Sequence, residues 1–258
     1  MCLIAFAWRA HPDFPLVVAG NRDEFFARPT AAATWWSPFG ILAGRDLKAG
    51  GTWMGVAHNG RFAALTNYRD PPNQRPDAPS RGALVADFLV SDTSPATVLD
   101  RIAAEAHRFN GFNLLAAQWR GGDAGLWIVA GPDASRTTVV VPGVHALSNA
   151  RLDDRWPKVD HAIDGLRAAL ASARDPNQLI AASFALLDDR TVAADERLPS
   201  TGVPLDTERA LSAPFIRMPD YGTRASTILL VERSGRATFV ERRHEPDELV
   251  QERRFIVG

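Results

Sequence analysis

Strand-like segments in this chain arrive in hairpins, interrupted twice by a pair of helices, and that order excludes most α/β architectures. Two apolar runs, from Cys2 to Arg9 and from Leu16 to Asn21, flank the turn His11-Pro12-Asp13-Phe14-Pro15, which predicts a hairpin. Three more strands are expected from Ile41 to Arg45, Thr52 to Ala57 and Phe62 to Thr66. Their turns fall at Gly50-Gly51 and Asn59-Gly60, and Asn-Gly is a strong hairpin signal. A proline-rich polar loop from Asp70 to Ser80 reads as a mobile flap or exposed linker. Ser80 then caps a helix with Leu84, Val85, Phe88 and Leu89 at helical spacing, and Ser94-Pro95 opens a second. Strands return from Phe112 to Trp119, Ala124 to Ala130, Thr137 to Val141 and His145 to Ser148. A second helical pair runs from Trp156 to Ala173 and from Pro176 to Leu187, the latter opened by Asp175-Pro176. Two strands close the pattern, from Ser226 to Glu232 and from Arg236 to Arg243.

Each helical pair has one apolar face to bury, and the strands between are mostly apolar on both sides. Helices covering two central sheets satisfy both needs, so the expected fold is a four-layer αββα sandwich with mostly antiparallel sheets, one domain over residues 1–258. A doubly wound parallel sheet would alternate strand with helix, and this chain does not. With 46% hydrophobic residues it can bury a large core.

The net charge of −1 points neither to nucleic acid nor to an anionic membrane surface. A single cysteine excludes an intrachain disulfide and a multi-thiolate zinc site. Arg9, His11 and Asp13 break the first apolar run too early for a signal peptide, and no run approaches the roughly 18 apolar residues of a membrane span. The expectation is a cytoplasmic protein with a small-molecule substrate or ligand. The six histidines show no metal-ligand spacing, so no metal is expected. Neither Ser148 nor Ser226 has a convincing His-Asp arrangement for a serine triad.

The lone cysteine is Cys2. Trimming of Met1 would place a thiol and a free α-amine on one residue. An α-amine with pKa about 7.7–8.0 is partly neutral and basic near pH 7, so nucleophile and base would coincide. Free cysteine also behaves as a small buried hydrophobe, and Leu3-Ile4-Ala5-Phe6-Ala7-Trp8 suits a covered central strand. Position alone leaves both readings open.

The polar clusters favour chemistry. Asn21-Arg22-Asp23-Glu24 ends the second strand, and an antiparallel hairpin brings that end beside Cys2. Asn67-Tyr68-Arg69-Asp70 and Asn149 also follow apolar strands, and Arg224 precedes one. Amides offer neutral donors to an oxyanion, and arginines offer fixed positive charge. Gly50-Gly51-Thr52-Trp53-Met54-Gly55 lacks the Lys-Ser/Thr end of a phosphate loop and reads as a tight turn with close backbone approach. The tryptophans, including Trp35, Trp36 and Trp53, read as core or cleft wall.

These motifs together resemble the NRDE family, also called the transport and Golgi organization protein 2 family. The resemblance rests on Met1-Cys2, Asn21 to Glu24, Gly50 to Trp53, Thr66 to Arg69, Leu147-Ser148-Asn149 and Tyr221 to Arg224 in order, and covers nearly the whole chain. It implies the N-terminal-nucleophile hydrolase fold and a likeness to cysteine members that cleave linear amides. By that likeness Cys2 is the nucleophile, Asp23 holds the α-amine, Asn149 and Asn67 form the oxyanion hole, and Arg224 is the late arginine. One position departs: the hydrolases carry an arginine three residues before the aspartate, where this chain has Gly20; either the adjacent Arg22 replaces it through a twist or bulge of the strand, or the site is altered. Asn21, Arg45, Trp53 and Arg69 are the expected substrate contacts, and the arginines imply an anionic substrate. The family is also associated with haem trafficking, which implies an alternative: a non-catalytic haem or acyl-ligand binder, with Cys2 or a histidine such as His58 as axial ligand. No cofactor is expected otherwise.

Overall fold

The computed structural model describes residues 2–132, 134–245 and 248–258. Met1, on whose removal the free amine depends, lies outside them. The chain divides into two compact units, each an antiparallel sheet backed by helices.

The first unit holds Met1–Ala27, Pro142–Ser148 and Leu152–Val257. Its sheet has the order β10-β1-β2-β11-β12-β13, built from β1 (Cys2–Trp8), β2 (Leu16–Phe25), β10 (Gly143–Leu147), β11 (Tyr221–Val231), β12 (Ala237–Glu245) and β13 (Glu248–Val257). The expected hairpin is present, with Cys2 paired to Arg22 and Trp8 to Leu16. Every residue of β1 is buried. Leu3, Ala5, Ala7, Val17, Ala19, Ile228 and Leu230 form one face of this sheet. They pack on α3 (Pro157–Ser172) and α4 (Pro176–Leu187) through Val159, Ala162, Leu166, Leu179 and Phe184. Each fully buried Leu, Ile, Val or Phe among them contributes about 1.5–3 kcal/mol. Asp175 caps α4, accepting from Asn177 N at 2.8 Å and Gln178 N at 3.0 Å. A short helix α5 (Leu205–Leu211) completes the unit.

The second unit holds Arg28–Val141, Asn149–Arg151 and Gly258. Its seven-stranded sheet follows the order β3-β4-β5-β6-β7-β8-β9. The strands are β3 (Thr30–Trp36), β4 (Ile41–Asp46), β5 (Met54–Ala57), β6 (Arg61–Asn67), β7 (Phe112–Gln118), β8 (Gly125–Gly131) and β9 (Thr137–Val139). Helices α1 (Gly82–Val90) and α2 (Pro95–Glu105) bury Leu84, Val85, Phe88, Leu89, Val98, Leu99 and Ile102 against it. Ser94 caps α2 by accepting from Thr97 N at 3.2 Å. Ser80 sits one residue further from α1 than expected: Arg81 occupies the cap position, and Ser80 Oγ accepts from Gly82 N at 3.4 Å. The Gly-Gly turn is a site of close approach. A Cβ on Gly51 would lie 2.5 Å from the Gly82 backbone, so the 51–52 segment runs against the start of α1 only because both residues lack one. Gly60, at φ +82°, closes the β5–β6 hairpin.

Three elements go beyond the sequence reading. β3 begins with small residues, β13 carries several charges, and α5 has only seven residues, so none has a clear period. β2 and β11 also run further than expected. Phe25 pairs with Tyr221, Glu24 with Gly222 and Asp23 with Thr223, so two motifs read as strand ends and turns are one paired ladder. The 70–80 loop is tethered: Arg75 N donates to Asn110 Oδ1 at 2.8 Å, Asn110 Nδ2 to Arg75 O at 2.9 Å, and Arg75 Nη2 to Phe109 O at 2.6 Å. Among the described residues, no helix is long and apolar enough to cross a membrane.

Candidate active site

The register of three strands sets the geometry around Cys2. Cys2 stands opposite Arg22, and Arg22 stands opposite Ala225. Directly paired residues share a face and neighbours alternate. Cys2, Arg22 and Ala225 therefore lie on the face turned away from α3 and α4, while Leu3, Asn21, Asp23 and Ser226 lie on the helix side. Thr223 pairs with Asp23 but Ala225 with Arg22, which makes Arg224 the extra residue of a β-bulge. Bulges re-aim side chains where they occur. This one frees Arg224 from the alternation. Its Nη1 donates to Phe25 O at 3.0 Å and Phe26 O at 3.1 Å, and the guanidinium lies 5.8 Å from the Phe26 ring centre.

Asp23 is buried on the helix side. Its Oδ1 accepts from Thr223 Oγ1 at 2.7 Å, and its carbonyl accepts from Tyr221 Oη at 3.0 Å. Burial raises its pKa, opposed by the Lys158 charge, the Thr223 hydrogen bond and Arg22. Burial likewise raises the Cys2 thiol, and the Asp23 charge adds to it. Arg22 and the Asp23 backbone N–H, which faces the sulfur, pull it down. Burial, then the Asp23 and Cys2 charges, push the Tyr221 phenol well above its ordinary range, so it is a neutral donor. Ser148 Oγ, just past β10, donates to the Cys2 carbonyl at 3.1 Å.

Lys158 is the residue that sequence reasoning missed. It is 2% exposed, in the first turn of α3, where a helix dipole disfavours a cation. Burial at that end needs nearby negative charge, and Asp23 feels it. A signal was present: the chain has 29 Lys and Arg, and Lys48 and Lys158 are its two lysines. Lysine is a compact point charge, not interchangeable with arginine.

Asn21 is fully buried. Its Nδ2 donates to Leu187 O at 2.8 Å and Pro214 O at 2.9 Å, and its Oδ1 accepts from Ser226 Oγ at 2.7 Å. Its amide is thus committed to tying β2 to the end of α4, not to a substrate. Ser226 Oγ also meets His244 Nε2 at 3.0 Å.

The remaining expected residues lie in the second unit. Asn149 is buried, with Nδ2 donating to Asn67 O at 2.8 Å and its carbonyl accepting from Arg69 N at 2.7 Å. Asn67, Arg69 and Asn149 are therefore together. Asn113, not anticipated, holds this segment: Nδ2 donates to Thr66 Oγ1 at 3.0 Å and Ala150 O at 2.8 Å, and Oδ1 accepts from Gly131 N at 3.1 Å. Arg45 is exposed, donates to Gly50 O at 3.2 Å and lies 4.8 Å over Trp36. Trp53 is half-buried, and its carbonyl accepts from Leu65 N at 2.7 Å. His58 stacks on Trp35 at 3.9 Å.

Comparison with known proteins agrees with the motif reading. The family model for Transport and Golgi organisation 2 matches residues 1–246. The Transport and Golgi organization protein 2 homolog of Bos taurus is 38% identical, covering 94% of this chain and 92% of its own. The Homo sapiens homolog is 35% identical with the same coverage. A Caenorhabditis elegans N-acylethanolamine-hydrolyzing acid amidase ortholog shares the fold, with a TM-score of 0.50 at 10% identity over 89% of this chain and 92% of its own. The fold is thus the α/β fold of N-terminal-nucleophile hydrolases, and the chain belongs to the Transport and Golgi organisation 2 family.

Proposed function

We propose that this family member is a cysteine amidohydrolase that cleaves a linear carbon–nitrogen bond in a small, anionic acyl-amide. One observation carries the reading: residue 2 has a guanidinium across from its side chain and a buried carboxylate beside it on the opposite face of the sheet. Those are the two charges that a residue acting as nucleophile and base needs, each on the appropriate side.

In the reaction, the thiolate of Cys2 attacks the carbonyl carbon, forming a C–S bond. Its α-amine, free once Met1 is removed, takes the thiol proton and delivers it to the leaving nitrogen as the C–N bond breaks. Asp23 holds the ammonium form, and Lys158 with Thr223 opposes the rise in its pKa that burial causes. Arg22 favours the thiolate. Gly20 and Arg22 are two apart on β2 and share a face, so moving the guanidinium from 20 to 22 keeps its side and sets it across from Cys2. Asn149 and Asn67 are the proposed donors to the tetrahedral oxyanion. Water, activated by the same amine, then breaks the thioester and releases the acid. Arg224 and Arg69 supply charge for an anionic substrate in this scheme. The fold shared with an amidase supports the reaction class and nothing finer.

The test is an acyl-amide panel run on protein whose N-terminus has been read by mass spectrometry, beside Cys2→Ala. Turnover confined to the processed wild type is expected. Equal turnover in both proteins, or retention of Met1 in active protein, would sink the mechanism.

A further inference from the structure

Four adjacent strands of the first unit place Cys2, Arg22, Ala225 and Arg243 in one cross-strand row. Direct pairing puts all four on one face, and the small residue stands between two arginines. Arg224, displaced by the bulge, adds a third guanidinium at the same place. Burial chiefly, then the like charges of Arg22 and Arg243, depress its pKa, which marks the group as mutually repelling. The counter-charges are Glu24, 3.4 Å from Arg22, and Glu245, which accepts from Arg243 Nη2. Among the described residues of this row and its bulge, three cations face these two carboxylates, while Glu241, two residues along β12 on the same face, stands opposite Arg253. Nη1 of Arg22 and Nε of Arg243 are buried with no hydrogen-bond partner among the described residues, a costly arrangement that an added acceptor relieves. The two side chains keep 12% and 26% exposure, so the row is not sealed.

We infer that this row is the subsite for an anionic group, a carboxylate or phosphate, on the molecule whose carbonyl meets Cys2, with Arg243 the residue that selects it. Neighbouring strands lie about 4.8 Å apart, so Ala225 is about 10 Å and Arg243 about 14 Å from Cys2 across the sheet. The anion therefore sits several bonds from the reacting carbonyl. Guanidinium forks match planar or tetrahedral oxyanions better than lysine would. The inference rests on the proposed reading for the reaction, but the binding can be measured without it.

The experiment compares alkylation of Cys2 by 4-(iodoacetamido)butanoate, whose carboxylate lies several bonds from the reacting carbon, and by its neutral amide, read by mass spectrometry and normalised to N-acetylcysteine. The wild type should favour the anionic reagent by about tenfold over the free thiol. Arg243→Gln should remove most of that preference and Arg22→Gln part of it, while Arg243→Lys keeps part of it. A wild-type ratio equal to the free thiol, or one untouched by Arg243→Gln, overturns the inference. If Cys2 resists both reagents, melting temperature decides. Glutarate or inorganic phosphate, but not glutaramide, should stabilise the wild type and not Arg243→Gln. The stabilising anion tells carboxylate from phosphate. Equal shifts in both proteins, or none with either anion, reject the site. Charge-selective alkylation without amide turnover keeps the anion site and removes the hydrolase reading. Turnover indifferent to substrate charge does the reverse.

Discussion

Cys2 and Arg22 face each other across the β1–β2 ladder, while Asp23, the next residue, points to the opposite side of the sheet. Alternation along a strand would make these two charges compete if both had to reach the sulfur. Direct pairing keeps the Cys2 side chain on the Arg22 face and leaves Asp23 on the other, so the two charges do not share one side of the sheet. In the proposed mechanism Arg22 acts on the thiol and Asp23 on the freed amine. The bulge at Arg224 lies on the neighbouring strand at the same level, which lets a second guanidinium join without moving either.

The first prediction concerns the thiol. Arg22 and the Asp23 N–H lower the Cys2 pKa against a larger rise from burial. Removing the guanidinium leaves the rise less opposed. Arg22→Gln should therefore move the midpoint of iodoacetamide alkylation against pH upward, and Arg22→Lys should restore most of it. An unchanged midpoint means that the guanidinium does not act on the sulfur.

The second concerns Lys158, whose charge lowers the Asp23 pKa against burial. In Lys158→Met, Asp23 should protonate at higher pH, so the acid limb of the pH–rate profile moves up while the alkaline limb stays. Asp23→Asn should abolish that limb. A buried charge left without its partner typically costs about 3–5 kcal/mol, but Asp23 can relieve it by taking a proton. The stability loss in Lys158→Met should thus be larger at neutral pH than at pH below the ordinary carboxylate range. Thermal melts at both pH values check this, and a pH-independent loss argues for a packing role alone.

The third concerns Asn149. If its amide donates to an oxyanion, Asn149→Ala should lower turnover by about 10²–10³ with little change in Cys2 alkylation, which forms no oxyanion. A matching fall in alkylation would assign Asn149 to structure through its bond to Asn67 O.

Much of this arrangement was legible because its signals are local. Turn residues, caps and apolar runs located the β1–β2 hairpin, α2 and α4, since each depends on neighbours a few residues away. Cys2 beside the Asn21–Glu24 ladder followed from hairpin geometry alone. What escaped depends on distant partners. Nothing near Thr30–Trp36 or Glu248–Val257 marks an edge strand, because the pairing strand supplies the hydrogen bonds. Asn21 looked like a cleft residue, yet its acceptors come from residues 187 and 214. Lys158 sits 135 positions after Asp23, and only the packing of α3 on the sheet brings its charge to bear.

The last prediction tests that structural reading of Asn21 and its partners. Asn21→Ala removes both donors to Leu187 O and Pro214 O and the acceptor for Ser226. Each buried group left unpaired costs about 1–3 kcal/mol, so the variant should melt several degrees lower even before any effect on activity. His244, which meets Ser226, adds a pH dependence. Burial chiefly, then Arg242 and Arg190, hold its pKa below the ordinary value, against a smaller opposing pull from Asp188. The native state therefore binds this proton less readily than the unfolded chain. Its contribution to stability is complete above the ordinary histidine range near 6.5. It is lost as pH falls through the lower folded-state value. Melts from pH 7.5 downward should show that loss in the wild type and a shallower slope in His244→Gln, whose amide does not titrate. Parallel slopes would mean that His244 is not the group responsible, and would leave Ser226 and Asn21 as a network without a titrating member.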